Sequence, residues 1–182
     1  MAIRELTMDE ITLGLFSDFD RYQEVTHCWR KREGRWVIID NPFVEAWAEP
    51  EYRYLAQCLQ NTLKTGGVVY GAFVGGKLKG FCSVEPVFFG SRGQYLELSA
   101  IHVSRDCRGR GIGRELLAAA KQWAGEKGAR KLYISAHSSV ESQAFYRAMG
   151  CREAEEYSRP HVEKEPCDCQ LELDLREKRG TI

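Results

Sequence analysis

Between Tyr95 and Leu117 the chain reads Y-L-E-L-S-A-I-H-V-S-R-D-C-R-G-R-G-I-G-R-E-L-L, the pattern of a strand, a glycine-rich turn and the first turns of a helix. Gly109, Gly111 and Gly113 fall at alternate positions. Lacking Cβ atoms, they let consecutive backbone N–H groups turn towards one point where the helix begins, and that point binds an anion. Arg108, Arg110 and Arg114 lie in the same turn. One carboxylate would not need so much positive charge, so the expected ligand carries a phosphate or pyrophosphate.

The rest of the sequence narrows the setting. A length of 182 residues with 43% hydrophobic content suits a single domain over 1–182, and no Pro, Gly or Ser-rich linker divides it. Lys plus Arg and Asp plus Glu both number 26, without the basic excess of a nucleic-acid binder, so no nucleic acid is expected as partner. The first residues, M-A-I-R-E-L-T-M-D-E, carry charges where a signal peptide needs an apolar core, and no apolar run is long enough to span a bilayer. A cytoplasmic protein with no membrane partner is expected. Seven scattered cysteines without a C-x-x-C pair read as reduced thiols, with no metal site. Cys107, beside the arginines, is either a reactive thiol or, the favoured reading, an incidental turn residue.

Along the chain, Ile3 to Leu6 predicts a short first strand. Apolar positions Leu13, Phe16, Phe19, Tyr22, Val25 and Trp29 recur at spacings of three and four, which predicts one or two helices between Glu10 and Lys31. Arg35 to Asp40 predicts a short strand broken by Asn41-Pro42, and Glu51 to Leu63 a helix ended by Gly66-Gly67. Val68 to Val74 and Leu78 to Phe88, joined by Gly75-Gly76, form a predicted hairpin. In the next strand Leu96 and Leu98 are out of phase with Ile101 and Val103, which predicts a bulge near Ser99 and Ala100. A helix follows from Ile112 to Gly128, then a parallel strand from Lys131 to Ala136. Ser138 and Glu141 have capping-box spacing for a helix through Met149. A polar linker leads to a last strand at Gln170 to Leu175, and residues 176–182 read as a tail.

The segment R-G-R-G-I-G at Arg108 to Gly113 fits the Q/R-x-x-G-x-G/A motif of the GNAT N-acetyltransferase superfamily, and A-F-Y-R-A-M-G-C at Ala144 to Cys151 resembles that family's A-x-F-Y-x-x-x-G-F helix. With the strand ending in Ile101-His102-Val103, the resemblance covers roughly residues 68–175. It implies a mixed α/β fold in which a splayed sheet of about six to seven strands is flanked by helices, with residues 1–67 as acceptor-side helices and the first strand, 68–175 as the acetyl-CoA-binding core and 176–182 as a tail. Acetyl-CoA is the implied cosubstrate. Its pyrophosphate would lie on Arg108, Gly109, Arg110, Gly111, Ile112, Gly113 and Arg114, and its pantetheine arm along Ile101, His102 and Val103, through main-chain hydrogen bonds. The family's cofactor-binding asparagine is replaced by Ser139, so Ser139 or Ser142 would substitute, or Ser139 serves only as a cap.

The same resemblance implies acetyl transfer to a primary amine by direct attack in a ternary complex. An amine with an ordinary pKa of about 10 must lose a proton first. Glu97, eleven residues before Arg108, is the candidate base, with Glu85 in reserve and water as the alternative. The Ile101 N–H is the candidate donor to the developing oxyanion, and Tyr146 the candidate acid for the leaving thiolate. The acceptor would be a small-molecule or peptide amine. An acidic excess in the linker, Glu153, Glu155, Glu156, Glu163, Glu165 and Asp168, suits a cationic one, with His161 and Tyr157 as further lining, although such a run is more often only a solvated surface. The rival reading is a non-catalytic acyl-CoA-binding sensor or scaffold. A Rossmann or P-loop protein is disfavoured, since Arg114 stands at the third glycine of G-x-G-x-x-G. The oligomeric state is left open, a homodimer included.

Overall fold

The computed structural model describes residues 1–176, so the tail expected at 176–182 falls, from residue 177 on, outside the described residues. The chain runs β1 (Ala2–Glu5), β2 (Tyr22–Arg32), β3 (Arg35–Ala46), α1 (Glu49–Lys64), β4 (Val68–Val74), β5 (Lys77–Val84), β6 (Tyr95–Val103), α2 (Ile112–Glu126), β7 (Lys131–Ala136), α3 (Val140–Ala148), β8 (Arg152–Glu153), α4 (Arg159–Lys164) and β9 (Cys169–Asp174). Seven strands form one mixed sheet in the order β1-β4-β5-β6-β7-β9-β8, and β2 and β3 form a separate ribbon. Among the described residues no helix is long and apolar enough to cross a membrane.

The sheet separates two apolar layers. On one face α2 buries Ile112, Leu116, Leu117, Ala120 and Ala124 against Leu96, Leu98 and Leu132, each large side chain contributing roughly 1.5–3 kcal/mol of transfer free energy. The close approach of α2 to β5 depends on Gly80, where a Cβ would come within 2.6 Å of Ile112 Cγ2. On the other face α1 sets Leu55 and Leu59 against Val69 and Phe81, together with Phe16 and Phe19 from the amino-terminal segment.

The predicted helices between Glu10 and Lys31 are not formed. Two short 3₁₀ turns, Met8–Glu10 and Leu13–Phe16, precede the eleven-residue strand β2. The pairing of β2 with β3 slips between Val25 and His27, where Val25 faces Phe43 and His27 faces Asp40. This bulge brings Val25 and Cys28 to the buried side at a spacing of three, so a strand mimics a helical period. Nor does Asn41-Pro42 end β3, which continues to Ala46. Pro42 falls where the ladder is interrupted, a place in a sheet where a missing N–H is tolerated.

The ribbon is held at the open end of the sheet. Trp29 N donates to Ser138 O at 2.8 Å, Arg30 Nη1 to Ser138 Oγ at 2.6 Å, and Lys31 Nζ to Glu153 Oε1 at 2.5 Å. Residues 1–67, expected to hold helices and a first strand, thus contain that strand, β1, with a β-ribbon and one long helix, α1. The later elements fall close to their expected places, with two refinements. The second hairpin strand stops at Val84 instead of Phe88, and the linker before β9 contains β8 and α4.

Candidate active site

β6 changes partner along its length, pairing with β7 over its first three residues and with β5 from Leu98 to Val103. Its partner β7 runs parallel to it over Tyr95, Glu97 and the residue between them, and then leaves to pair with β9. Opposite β5, Ser83 faces Ala100 and Val84 faces Leu98, so Ser99 is the extra residue of a bulge, where the phase slip predicted one. Ser99 Oγ lies 2.8 Å from Ser83 Oγ and donates to Glu85 Oε1 at 2.9 Å, which pins the bulge. Ser104 N donates to Lys79 O. By the period-two alternation of a strand, the main-chain groups of Ile101 and Val103 then point away from β5, into the gap left by β7. The Val103 carbonyl accepts from Arg108 Nε at 3.2 Å.

This gap is part of a cavity of about 810 Å³. At one end lie Arg108, Gly109, Gly111, Ile112, Gly113 and Arg114. Gly109 and Gly111 have φ of +74° and +82°, a conformation that side chains rarely adopt, and no atom lies within 4 Å of where their Cβ atoms would stand. Gly113 is tighter, since a Cβ there would meet the Phe145 ring at 3.0 Å. The Arg110 side chain is exposed and does not line the cavity. Ile101, His102 and Val103 line its middle. The His102 side chain points to the other face, where its Nδ1 accepts from Arg21 Nε at 3.1 Å; burial, then the charge of Arg21, lowers its pKa to about 3.

The far end holds Glu97 and Tyr146 together with Leu98 and Ile134. Leu96 and Leu98 are buried on the α2 side, so Glu97 faces the other way, and Glu97 Oε1 lies 3.0 Å from His161 Nε2. Tyr146 is buried, and burial raises the pKa of its phenol, which makes no hydrogen bond among the described residues. The reserve carboxylate, Glu85, is turned away. Its Oε1 accepts from Thr62 Oγ1 at 2.6 Å and from Ser99.

Of the two serines in the asparagine slot region, Ser142 lines the cavity and Ser139 does not. Ser139 is wholly buried, caps α3 by accepting from Ser142 N at 3.2 Å, and accepts from Gln23 Nε2 at 3.1 Å. The capping residue is thus Ser139, one position beyond the Ser138 expected from the sequence, because Ser138 is taken up by β2.

The acidic linker is mostly occupied elsewhere. Glu153 holds Lys31 and Trp36, Glu155 holds Lys131 and Arg152, Glu156 holds Ser91 and Gln94, and Glu163 holds Arg159. Tyr157 bonds Glu153 outside the cavity. Only Glu165 and Asp168 of that run, with His161, reach it. Burial raises the pKa of Asp168 against the Ser135 hydroxyl, which lies 3.2 Å away. Among the lining residues that the sequence did not single out are Arg21, Glu45 and Trp47, which the ribbon and its ends deliver. Arg21 Nη2 pairs with Glu45 Oε2 at 2.8 Å, its guanidinium lies 5.4 Å from the Trp47 ring, and Glu45 Oε1 faces His137 Nε2 at 3.6 Å.

The arrangement offers an anion cradle at a helix start, an open strand edge beyond it, and a cluster of carboxylates with a buried phenol at the end. Similar folds are known. The crystal structure of nourseothricin acetyltransferase superposes with a TM-score of 0.69 at 17% identity, over 96% of this chain and 98% of that one. A protein of Bacillus anthracis str. Ames assigned as a streptothricin acetyltransferase, solved with acetyl coenzyme A, gives 0.68 at 19% identity over 95% and 97%. PaiA N-acetyltransferase from Thermoplasma acidophilum, solved with coenzyme A, gives 0.59 at 14% identity over 95% and 98%. No curated protein matches the chain significantly in sequence. At these identities the structures speak for the fold, but the sequence itself matches the acetyltransferase (GNAT) family over residues 15–151. The chain belongs to the GNAT family of acetyltransferases.

Proposed function

We propose that this enzyme transfers the acetyl group of acetyl-CoA to a primary amine of a small cationic acceptor, by direct attack in a ternary complex. The observation that carries the reading is the continuity of one cavity from the glycine turn, along the unpaired edge of β6, to Glu97 and Tyr146. The residues fit such a donor. The open positions at Gly109 and Gly111 leave room for a pyrophosphate at the start of α2, where N–H groups and Arg108 and Arg114 favour negative charge. Ile101 and Val103 present main-chain groups to an extended arm. Acetyl-CoA bound there would supply an acyl group on a thiolate leaving group.

The chain's own residues then divide the work. Glu97 accepts the proton of the incoming ammonium. The Ile101 N–H stabilises charge developing on the carbonyl oxygen. Tyr146, whose phenol burial keeps protonated, gives its proton to the leaving sulfur. Glu45, Glu165 and Asp168 line the same cavity and favour an acceptor with positive charge, of the streptothricin, polyamine or peptide-amine kind.

Free thiol released from acetyl-CoA across a panel of amines tests the reading. Release with at least one cationic amine is expected. Binding of acetyl-CoA by intact protein with no release on any amine would leave the binding-module reading instead. Glu97→Gln is expected to lower kcat/KM by roughly 10²–10⁴-fold and to remove the acid limb of the pH–rate profile.

A further inference from the structure

We infer that His161 is a positioning residue for Glu97, holding the carboxylate in its place at the cavity wall. The inference rests on the reading of Glu97 as base. His161 is on α4, in the acidic linker, and Glu97 is on β6, yet His161 Nε2 lies 3.0 Å from Glu97 Oε1. A carboxylate can only accept, so Nε2 carries a proton. The other ring nitrogen, Nδ1, lies 2.5 Å from Ser158 Oγ. In the neutral imidazole it accepts from that hydroxyl, and in the imidazolium it donates to it, so the ring is held by both nitrogens in either state.

The ring plane is fixed as well. It stacks on Phe89, with centroids 5.7 Å apart and an interplanar angle of 25°, and lies 5.2 Å from the Tyr133 ring. Ser158 does not line the cavity. The order is therefore an anchor, an imidazole and a carboxylate, and not the order of a nucleophile activated by histidine. The groups facing His161 are Glu97 from β6, the Tyr133 phenol from β7 and the apolar Phe89 ring from the loop before β6; Lys164 and Glu165 of its own segment and Asp168 line the same cavity. The Tyr133 hydroxyl is engaged with Gln170 Oε1 at 2.5 Å and Ser158 N at 2.9 Å. The Glu97 carboxylate is the charge in direct contact with the ring.

Two measurements test this. In the first, the Nε2–H of His161 is followed by NMR in the wild-type protein and in Glu97→Leu. Loss of the acceptor is expected to shift that resonance and to speed its exchange with water; an unchanged signal would overturn the pairing, whatever the role of Glu97 in turnover. In the second, kcat and KM are compared for the wild type, His161→Leu and His161→Gln. The leucine variant, which cannot donate to Glu97, is expected to lower kcat by roughly ten-fold, with the acetyl-CoA KM within about two-fold of wild type. Glutamine, which retains a donor, should recover most of the lost kcat. A kcat equal to wild type in a folded His161→Leu protein, or a glutamine variant that behaves as leucine does, would refute the positioning role. Survival of the acid limb of the pH–rate profile in Glu97→Gln would instead remove Glu97 as base, a different failure with its own signature.

Discussion

Ser99 Oγ donates to Glu85 Oε1 at 2.9 Å, and this bond joins the extra residue of the β6 bulge to the end of the neighbouring strand. Glu85 also accepts from Thr62 on α1, so one carboxylate fastens the bulge to both β5 and a helix. Glu85→Gln is expected to keep the acid limb of the pH–rate profile, since Glu85 is turned from the cavity, and to lose about 1–2 kcal/mol of stability measured by urea unfolding. Loss of the limb would return Glu85 to the role of base.

The Tyr146 hydroxyl has no protein partner among the described residues, and burial keeps it protonated. Tyr146→Phe therefore removes a proton donor without disturbing a hydrogen bond of the fold. Turnover is expected to fall by roughly 10²-fold with acetyl-CoA affinity unchanged, as read by calorimetry beside steady-state kinetics. Equal turnover would dismiss Tyr146 as the acid.

At Gly111 the φ of +82° and the open space around the absent Cβ make different predictions for folding and for binding. A Cβ at Gly111 meets no atom within 4 Å, but Gly111→Val forces a β-branched residue into the left-handed region, at a cost of about 1–3 kcal/mol. Its side chain would occupy the proposed pyrophosphate cradle. Coenzyme A affinity should drop ten-fold or more while the protein remains folded; unaltered affinity would refute the cradle.

Glu172 on β9 is wholly buried and accepts from Lys131, Tyr95, Arg152 Nε and the Glu155 N–H at 2.6–3.2 Å. Desolvation alone would raise its pKa, but the hydrogen bonds from Lys131, Tyr95, the Glu155 N–H and Arg152 outweigh it, and the net shift is downward. A carboxyl with a depressed folded pKa contributes stability that is present above its unfolded pKa and lost as pH falls through the folded one. Unfolding free energy should accordingly decline below about pH 4. Glu172→Ala, which leaves Lys131 with Glu155 alone and takes the acceptor from the buried Tyr95 hydroxyl, should cost about 3 kcal/mol at neutral pH. A cost under about 1 kcal/mol would mean that the cluster contributes little.

The glycine turn and the bulge beside it could be read from the chain because their signals are local. Positive φ at Gly109 and Gly111 needs glycine at those positions, and the bulge at Ser99 shows as a phase slip within a single strand. The same device misled at Val25, where a bulge in β2 produced buried positions three apart and the pattern of a helix. There the sequence carried no glycine or proline to mark the slip, and the compensating Pro42 lies on the partner strand.

By itself, the sequence determined where the glycine turn and the strand bulge lie and which family the chain resembles, since each depends on residues close together in the chain. Only the tertiary structure decided which charges reach the acceptor end. The sequence showed six acidic residues in the linker, but ion pairs and hydrogen bonds from distant elements take up Glu153, Glu155 and Glu156, and a neighbour on α4 takes up Glu163. The ribbon brings in Arg21, Glu45 and Trp47, and α4 brings His161 to Glu97. These pairings are set by packing between elements far apart in sequence, which hydrophobic period and residue spacing do not encode.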